Sequence, residues 1–378
     1  MTRADAVAAA VARGPRLAIA RADSAAARAQ LSLARQFENP ILGVSFTKST
    51  PQQHFTLDVP LDYPWLRDPR VGSAQAGVNA ATHRFAFERE AVAFDADTTY
   101  TRALAAGARA RLTRRTALEA DSLATLARVR RDAGDASELD VQLATVSAGQ
   151  LANTAANDSL DAITALLAVQ AVMGQPADAP RIVLGDSLEF APAAGAAAGG
   201  TPLLVAAAEE DARAADLALT LERRRLFSVP SLSIGYERKD PTGAEPGTLP
   251  TIGFAIPLPL FNQNGAAVDA ARAQHDRSLA VLSMARIEVY ASLERARRAL
   301  AVAQARAARS QRLLDGANRI AALSLLAYRE GASPLSSVLE AQRTAREAQA
   351  QYVEDLAAVR NTAGLVRLLT LTANRTDK

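Results

Sequence analysis

The chain is written twice. Phe37-Glu-Asn-Pro40 returns 190 positions later as Phe227-Ser-Val-Pro230. Pro60-Leu61 then returns as Pro257-Leu258, and Gly134 as Gly331, both at an interval of 197. The extra residues fall between these markers, where the short Lys48–Gln53 is replaced by the longer Lys239–Gly247. A loop has lengthened and the flanking segments have kept register, so the unit to be folded is half the chain, used two times. Each half reads as helix, two strands, very long helix, turn and helix. The expected division is a first repeat over 1–173, a linker over 174–200 rich in Pro, Ala and Gly, and a second repeat over 201–378.

The strands are expected at about 40–47, 54–61, 230–238 and 249–258, because apolar and polar residues alternate there with period two. Leu42, Val44 and Phe46 oppose Gly43, Ser45 and Thr47; Phe55, Leu57 and Val59 oppose His54, Thr56 and Asp58. In the second copy Leu232, Ile234 and Tyr236 oppose Ser231, Ser233 and Gly235, and Ile252, Phe254 and Ile256 oppose Thr251, Gly253 and Ala255. Pro60, Pro257 and Pro259 end the second strand of each pair, where a ladder donor can be spared. Four strands cannot close a barrel, and their apolar face needs lipid or a partner. Several copies must therefore contribute to one barrel.

The helices carry the rest. Long helices are expected at about 70–131 and 262–328, each roughly 90–100 Å at the α-helical rise, with return helices at about 137–173 and 334–372. Of 378 residues 87 are alanine, and only 4% are aromatic. That composition suits long helices in close contact better than bulky globular cores. Coiled-coil seams run along Leu279, Leu282, Arg286, Val289, Leu293, Ala296, Leu300 and Ala303, and along Ala345, Ala348, Tyr352, Leu356, Val359 and Ala363. Each helix pair turns at a glycine, Gly134 or Gly331. Ser137 and Ser333 are expected to cap the return helices, with Pro334 at the first helical position.

Other chemistries find no support. There is no cysteine, and His54, His83 and His275 are far apart without ligand-spaced companions, so no metal site is expected. No phosphate-binding loop or nucleophile elbow occurs, and no enzyme or cofactor is expected. Forty-three basic against 40 acidic residues leave a net charge of +3 spread along the chain, which argues against nucleic acid. The uncharged runs Pro246–Val268 and Phe190–Ala208 are broken by Pro or Gly and cannot be membrane helices. Met1-Thr-Arg-Ala-Asp5 runs directly into an amphipathic pattern, without a signal peptide.

These features together resemble the TolC family of outer-membrane efflux proteins, over about Thr2 to Arg375. The resemblance rests on the repeated plan, the Phe-x-x-Pro lead-in to each first strand, and Pro257-Leu-Pro-Leu-Phe261-Asn-Gln-Asn-Gly265. It rests also on Tyr328-x-x-Gly331-x-Ser333-x-Leu335-x-x-Val338-Leu339-Glu340-Ala341-Gln342 and on the opening Ala4–Leu17. The Pro-Leu-Pro-Leu-Phe-Asn-Gln-Asn string is most similar to the subgroup serving heavy-metal resistance-nodulation-division pumps.

The resemblance implies a mainly α fold with a transmembrane β part. Three subunits give four strands each to one 12-stranded barrel in the outer membrane, and their helices form a periplasmic tunnel. It implies a passive conduit in a tripartite efflux system, with an inner-membrane pump and a periplasmic adaptor as partners. Leu42, Val44, Phe46, Phe55, Leu57, Val59, Leu232, Ile234, Tyr236, Ile252, Phe254 and Ile256 would then face outer-membrane lipid. Gly134, Ser137 and Leu139, with Gly331, Ser333 and Leu335, would form the tips against which the adaptor packs. Asp132, Asp135, Glu138 and Asp140 would ring the aperture, or else be ordinary first-turn acids favouring the helix dipole. Arg130 and Arg131 would pair with these carboxylates across protomers to latch the closed state. Export is required of such a protein, so the chain is read as a mature or truncated form. The alternative is a soluble periplasmic coiled-coil adaptor or scaffold without a channel. Two separated strand pairs at equivalent positions of a duplicated helical hairpin favour the conduit, since an adaptor's strands would close into a small domain of their own.

Overall fold

A computed structural model describes residues 1–49, 51–188, 200–225, 230–238, 247–256 and 258–373. Phe227, the loop 239–246, Pro257 and most of the expected linker (189–199) lie outside the described residues. Seven helices and four strands follow in the order α1 Arg3–Arg13, α2 Pro15–Arg35, β1 Ile41–Phe46, β2 Gln53–Pro60, α3 Pro64–Asp132, α4 Glu138–Val172, α5 Leu203–Arg224, β3 Ser231–Arg238, β4 Thr248–Ala255, α6 Gly265–Arg329 and α7 Leu335–Leu369. The duplicated plan of helix, strand pair, long helix and return helix is thus present in both halves. In the first copy Gly14-Pro15 splits the opening helix in two. Two compact units form. One gathers Met1–Ala20, Ala86–Pro202 and Val289–Lys378; the other gathers Arg21–Phe85 and Leu203–Glu288.

The second unit holds the sheet, antiparallel throughout, in the order β1-β2-β3-β4. The pairing of β2 with β3 joins the two repeats, with Leu57 opposite Ile234 and Val59 opposite Leu232. Beside the sheet, α3 begins earlier than the proline-free stretch predicts, at Pro64, and carries Pro69 inside its second turn. Pro69 has no N–H for the Trp65 carbonyl four residues back. Arg224 Nη1 donates to that carbonyl instead, at 3.0 Å. Further along, α3 packs on α5: Ser73 Oγ donates to the Ala214 carbonyl at 2.9 Å, and Asn79 Nδ2 to Glu210 at 3.2 Å.

The first unit is made of alanine-rich helix pairs. The α6–α7 seam buries Leu293, Ala296, Leu300, Ala303 and Ala307 against Val359 and Val366. Each buried methyl is worth only about 0.8 kcal/mol, so stability accumulates over length rather than in one dense core. Close approach is what small residues allow: a Cβ on Gly364 would stand 3.0 Å from the Phe94 ring. The seam continues at 3/4 spacing to Ser310, where polarity replaces alanine. Ser310 Oγ donates to Asp355, itself 2% exposed, which also accepts from Gln351 Nε2 at 2.9 Å and pairs with Arg306 at 2.7 Å. A polar group at a seam position specifies register, because a slipped helix would leave it buried and unpaired. Elsewhere Asp158, 5% exposed, is held by Arg109 Nη2 at 2.7 Å. Asp97 faces Arg3, Arg360 and Arg367.

Candidate functional site

Cross-strand register decides which side chains share a face of the sheet. Leu42, Leu57, Ile234 and Ile252 form one continuous row across the four strands; Val59, Leu232 and Phe254 form a second, and Val44, Phe55 and Tyr236 a third. All the apolar strand residues singled out in the sequence therefore lie on one side, with Phe46 and Ile256 extending it by parity. Phe55 and Tyr236 stack with ring centroids 4.8 Å apart. This side has little cover from its own chain: Leu42 is 67% exposed, Ile252 76% and Phe254 66%.

The opposite side is polar. Ser233 hydrogen-bonds Asp58, and His54 Nδ1 lies 3.2 Å from Glu237 while its Nε2 lies 3.2 Å from Thr47 Oγ1. A sheet in water hides its apolar face and shows its polar one; here the apolar face is the open one. The outer edges of β1 and β4 have no strand partner among the described residues.

In the first unit the two interhelical turns lie side by side. Gly134 has φ +87° and Gly331 φ +74°, a region that favours glycine. Each closes its helix with the same pair of bonds. Gly134 N donates to Arg131 O and Asp135 N to Arg130 O; Gly331 N donates to Tyr328 O and Ala332 N to Ala327 O.

Ser137 caps α4 as expected, through a capping box with Asp140. Ser333 does not cap α7. That position is Pro334, with φ −74° and ψ 156° and no side-chain cap bond, and the buried Ser333 Oγ has no hydrogen-bond partner. At the repeat interval of 197, Ser137 corresponds to Pro334 and Leu139 to Ser336, one residue beyond the matches expected by eye. The consequence for Leu335 is direct. It occupies the inward phase with Val338 and Ala341 and is 1% exposed, whereas Leu139 is 66% exposed. Leu335 packs with Leu123, Ala127, Val141 and Tyr328, so it supports the tip from within and offers no surface.

Within the chain, Arg130 and Arg131 both have partners at the tip. Arg131 pairs with Asp132 at 2.7 Å and with Glu138 at 3.0 Å. Arg130 Nη1 donates to the Tyr328 carbonyl at 2.6 Å, and its guanidinium lies over the Tyr328 ring at 4.8 Å. One hairpin thereby closes the end of the helix in the other. Asp140 is committed to the capping box; Asp135, Gly134, Ser137, Leu139 and Gly331 are exposed.

The Glu138 carboxyl lies below its ordinary 4.5, held down first by the Gln142 amide and then by Arg131. Arg131 is raised, chiefly by Asp132. A depressed carboxylate contributes stability that is present above its unfolded pKa and lost as pH falls through the folded one. Glu138→Gln is therefore expected to flatten the fall of the thermal midpoint between about pH 5 and 3. A midpoint profile parallel to the parent's would contradict this role for Glu138.

Sequence reading missed the Arg130–Tyr328 contact, whose partners are 198 residues apart. It also missed the Asp355 cluster, though that had a signal: Arg306/Ser310 and Gln351/Asp355 are spaced i,i+4, and Ser310 continues an alanine seam. Among the described residues no group of His, Cys, Asp and Glu is arranged to hold a metal ion, and no helix is long and apolar enough to cross a membrane.

A sheet with an open apolar face and unpaired edges, joined to helices of 69 and 65 residues, is a fold shared with solved outer-membrane channels. A membrane protein from Pseudomonas aeruginosa has the same fold over 97% of this chain and 93% of its own, at 20% identity and a TM-score of 0.81. The outer membrane protein VceC from Vibrio cholerae matches over 98% and 96%, at 17% identity and 0.78. In sequence, residues 200–372 match the family described as Outer membrane efflux protein. The family match covers the second repeat, and the likeness to the solved structures extends one shared fold over nearly the whole chain. A curated relative, the cobalt-zinc-cadmium resistance protein CzcC of Cupriavidus metallidurans, is 30% identical over 155 residues, which make up 40% of this chain. The match spans about a third of that relative's length (36%).

Proposed function

We propose that this chain is one subunit of a trimeric outer-membrane duct that passively conducts substrates delivered by an inner-membrane pump through a periplasmic adaptor. The observation that carries the reading is the sheet: a continuous apolar face left open to its surroundings, with two unpaired edges. In lipid every strand must find partners on both sides, and a closed barrel is the arrangement that supplies them. Three copies bring twelve strands. The apolar row through Leu42, Leu57, Ile234 and Ile252 faces lipid, and the polar side bearing Asp58, Thr56 and Ser233 lines the pore. The alanine-rich helix pairs form a tunnel wall extending into the periplasm, and the exposed tip residues Gly134, Ser137, Leu139 and Gly331 meet the adaptor. Heavy-metal ions are the proposed cargo, supported by the likeness to CzcC.

The test is single-channel conductance of the purified protein in planar bilayers, with its mass in detergent. Discrete channels from a trimer are expected. Arg131→Glu, which breaks both of its ion pairs at the tip and reverses the charge offered to neighbouring protomers, is expected to raise conductance and antibiotic leakage. A soluble monomer or dimer that never inserts would favour the scaffold reading instead.

A further inference from the structure

The structure points to a binding site for anionic phospholipid headgroups on the helix-side rim of the sheet; this inference rests on the barrel reading. We propose that Arg223 and Arg225, which flank the Arg224 bound to the Trp65 carbonyl, hold lipid phosphate there. The register puts the end of β2 at Pro60, the start of β3 at Ser231 and the end of β4 at Ala255 side by side, and Leu61 N donates to Pro230 O at 3.0 Å. The cross-strand rows stop at this rim, and Ile256, Leu258 and Leu260 carry exposed apolar side chains just past β4.

Beyond it the surface changes character within a few residues. Trp65, the sole tryptophan in the chain, stacks on Tyr63 with centroids 4.2 Å apart and an interplanar angle of 8°, and is still 53% exposed. Phe261, which follows β4, is fully exposed. Exposed Trp and Phe bordering an apolar band mark the depth at which hydrocarbon gives way to headgroups.

Three consecutive exposed arginines, Arg223, Arg224 and Arg225, end α5 at the same level. The level is fixed by Arg224, whose Nη1 donates to the Trp65 carbonyl, and by Asn264 Nδ2, which donates to the Glu222 carbonyl at 2.8 Å. Arg224 is thus occupied in positioning the rim. Arg225 shares Glu222, 3.2 Å away, with Asn264. Arg223 has no ion pair among the described residues.

Guanidinium groups next to an interfacial tryptophan meet phosphate with planar, charge-assisted bonds. The net charge of the chain is only +3, so a run of three like charges at this depth is a local feature of the rim. The occupant matching apolar rows below, aromatic rings at the boundary and arginines above is a phospholipid: its acyl chains lie on the sheet face and its phosphate reaches the arginines. A free phosphate would use only the last of these.

The test uses the full chain as a detergent-solubilised trimer, titrated with phosphatidylglycerol, phosphatidylcholine or glycerol phosphate, with bound lipid counted by native mass spectrometry. One arginine near an anionic surface is worth about fivefold in binding, so Arg223→Gln/Arg225→Gln is expected to weaken phosphatidylglycerol binding roughly 25-fold. Phosphatidylcholine, whose phosphate is offset by its choline, should bind the parent more weakly and lose less in the Gln variant, and Arg223→Lys/Arg225→Lys should retain most of the preference. Glycerol phosphate should not compete. Equal binding of the two lipids by the parent trimer would overturn the site, as would an unaltered preference in the Gln variant or competition by glycerol phosphate. If the parent forms no trimer and no channel, the barrel reading falls and takes the site with it. Channels without lipid preference would remove the site alone.

Discussion

Ile234→Arg is expected to abolish the proposed membrane-inserted trimer while leaving the helices folded. Ile234 sits in a central strand, between Leu57 and Ile252 in register, and is 48% exposed on the apolar side. An arginine on the lipid face of a barrel costs about 2–4 kcal/mol near mid-depth, and in the proposed trimer the cost recurs in every subunit. Thr251→Arg changes the neighbouring residue of β4 to the same side chain on the polar side, and is expected to insert and conduct. The measurement is bilayer conductance together with helical content by circular dichroism in detergent. Equal insertion by both variants would mean that the apolar side does not face lipid, and the duct reading would lose its main support.

The second large effect separates two leucines that look alike in the sequence. Leu335→Ala is expected to cost about 2–5 kcal/mol of stability, the range for truncating a fully buried leucine. Leu139→Ala, at the corresponding turn of the other repeat, is expected to stay within about 0.5 kcal/mol, as exposed positions do. Denaturant midpoints at constant slope give the comparison. The adaptor interaction should move in the opposite order, with Leu139→Ala weakening it and Leu335→Ala leaving it intact in folded protein. Similar midpoints for the two variants would refute the one-residue shift between the tips.

Much of the fold was legible because two periodicities were uninterrupted. Alternation over Leu42-Gly43-Val44-Ser45-Phe46 fixes a strand's face without knowledge of its partner. The repeat interval then carried the second strand pair, and glycines marked where the helices turn. The limits were local. Pro69 hid the true start of α3, because the Trp65 carbonyl that an interior proline leaves without its helical donor is taken by Arg224. At the tips, serine is the commoner cap, and matching Ser137 to Ser333 misplaced Leu335 by one position, enough on a helix to turn a residue from outside to inside. Arg130 was read from its sequence neighbours as a partner for carboxylates. Within the chain its guanidinium meets a backbone carbonyl contributed by the other repeat, and nothing within a few residues of Arg130 announces it.

The bare edges of β1 and β4 also set an order of events. An unpaired strand edge can remain in water, where solvent satisfies its N–H and C=O groups, but it cannot enter hydrocarbon without a large desolvation cost. Edge pairing must therefore precede or accompany insertion, and in the proposed barrel the pairing surface belongs to other copies of the chain. Appearance of the inserted form should follow the encounter of protomers rather than the folding of any one of them. Dilution would then stall the process with helices already formed, and the yield of channels would rise more steeply than linearly with the amount of protein supplied.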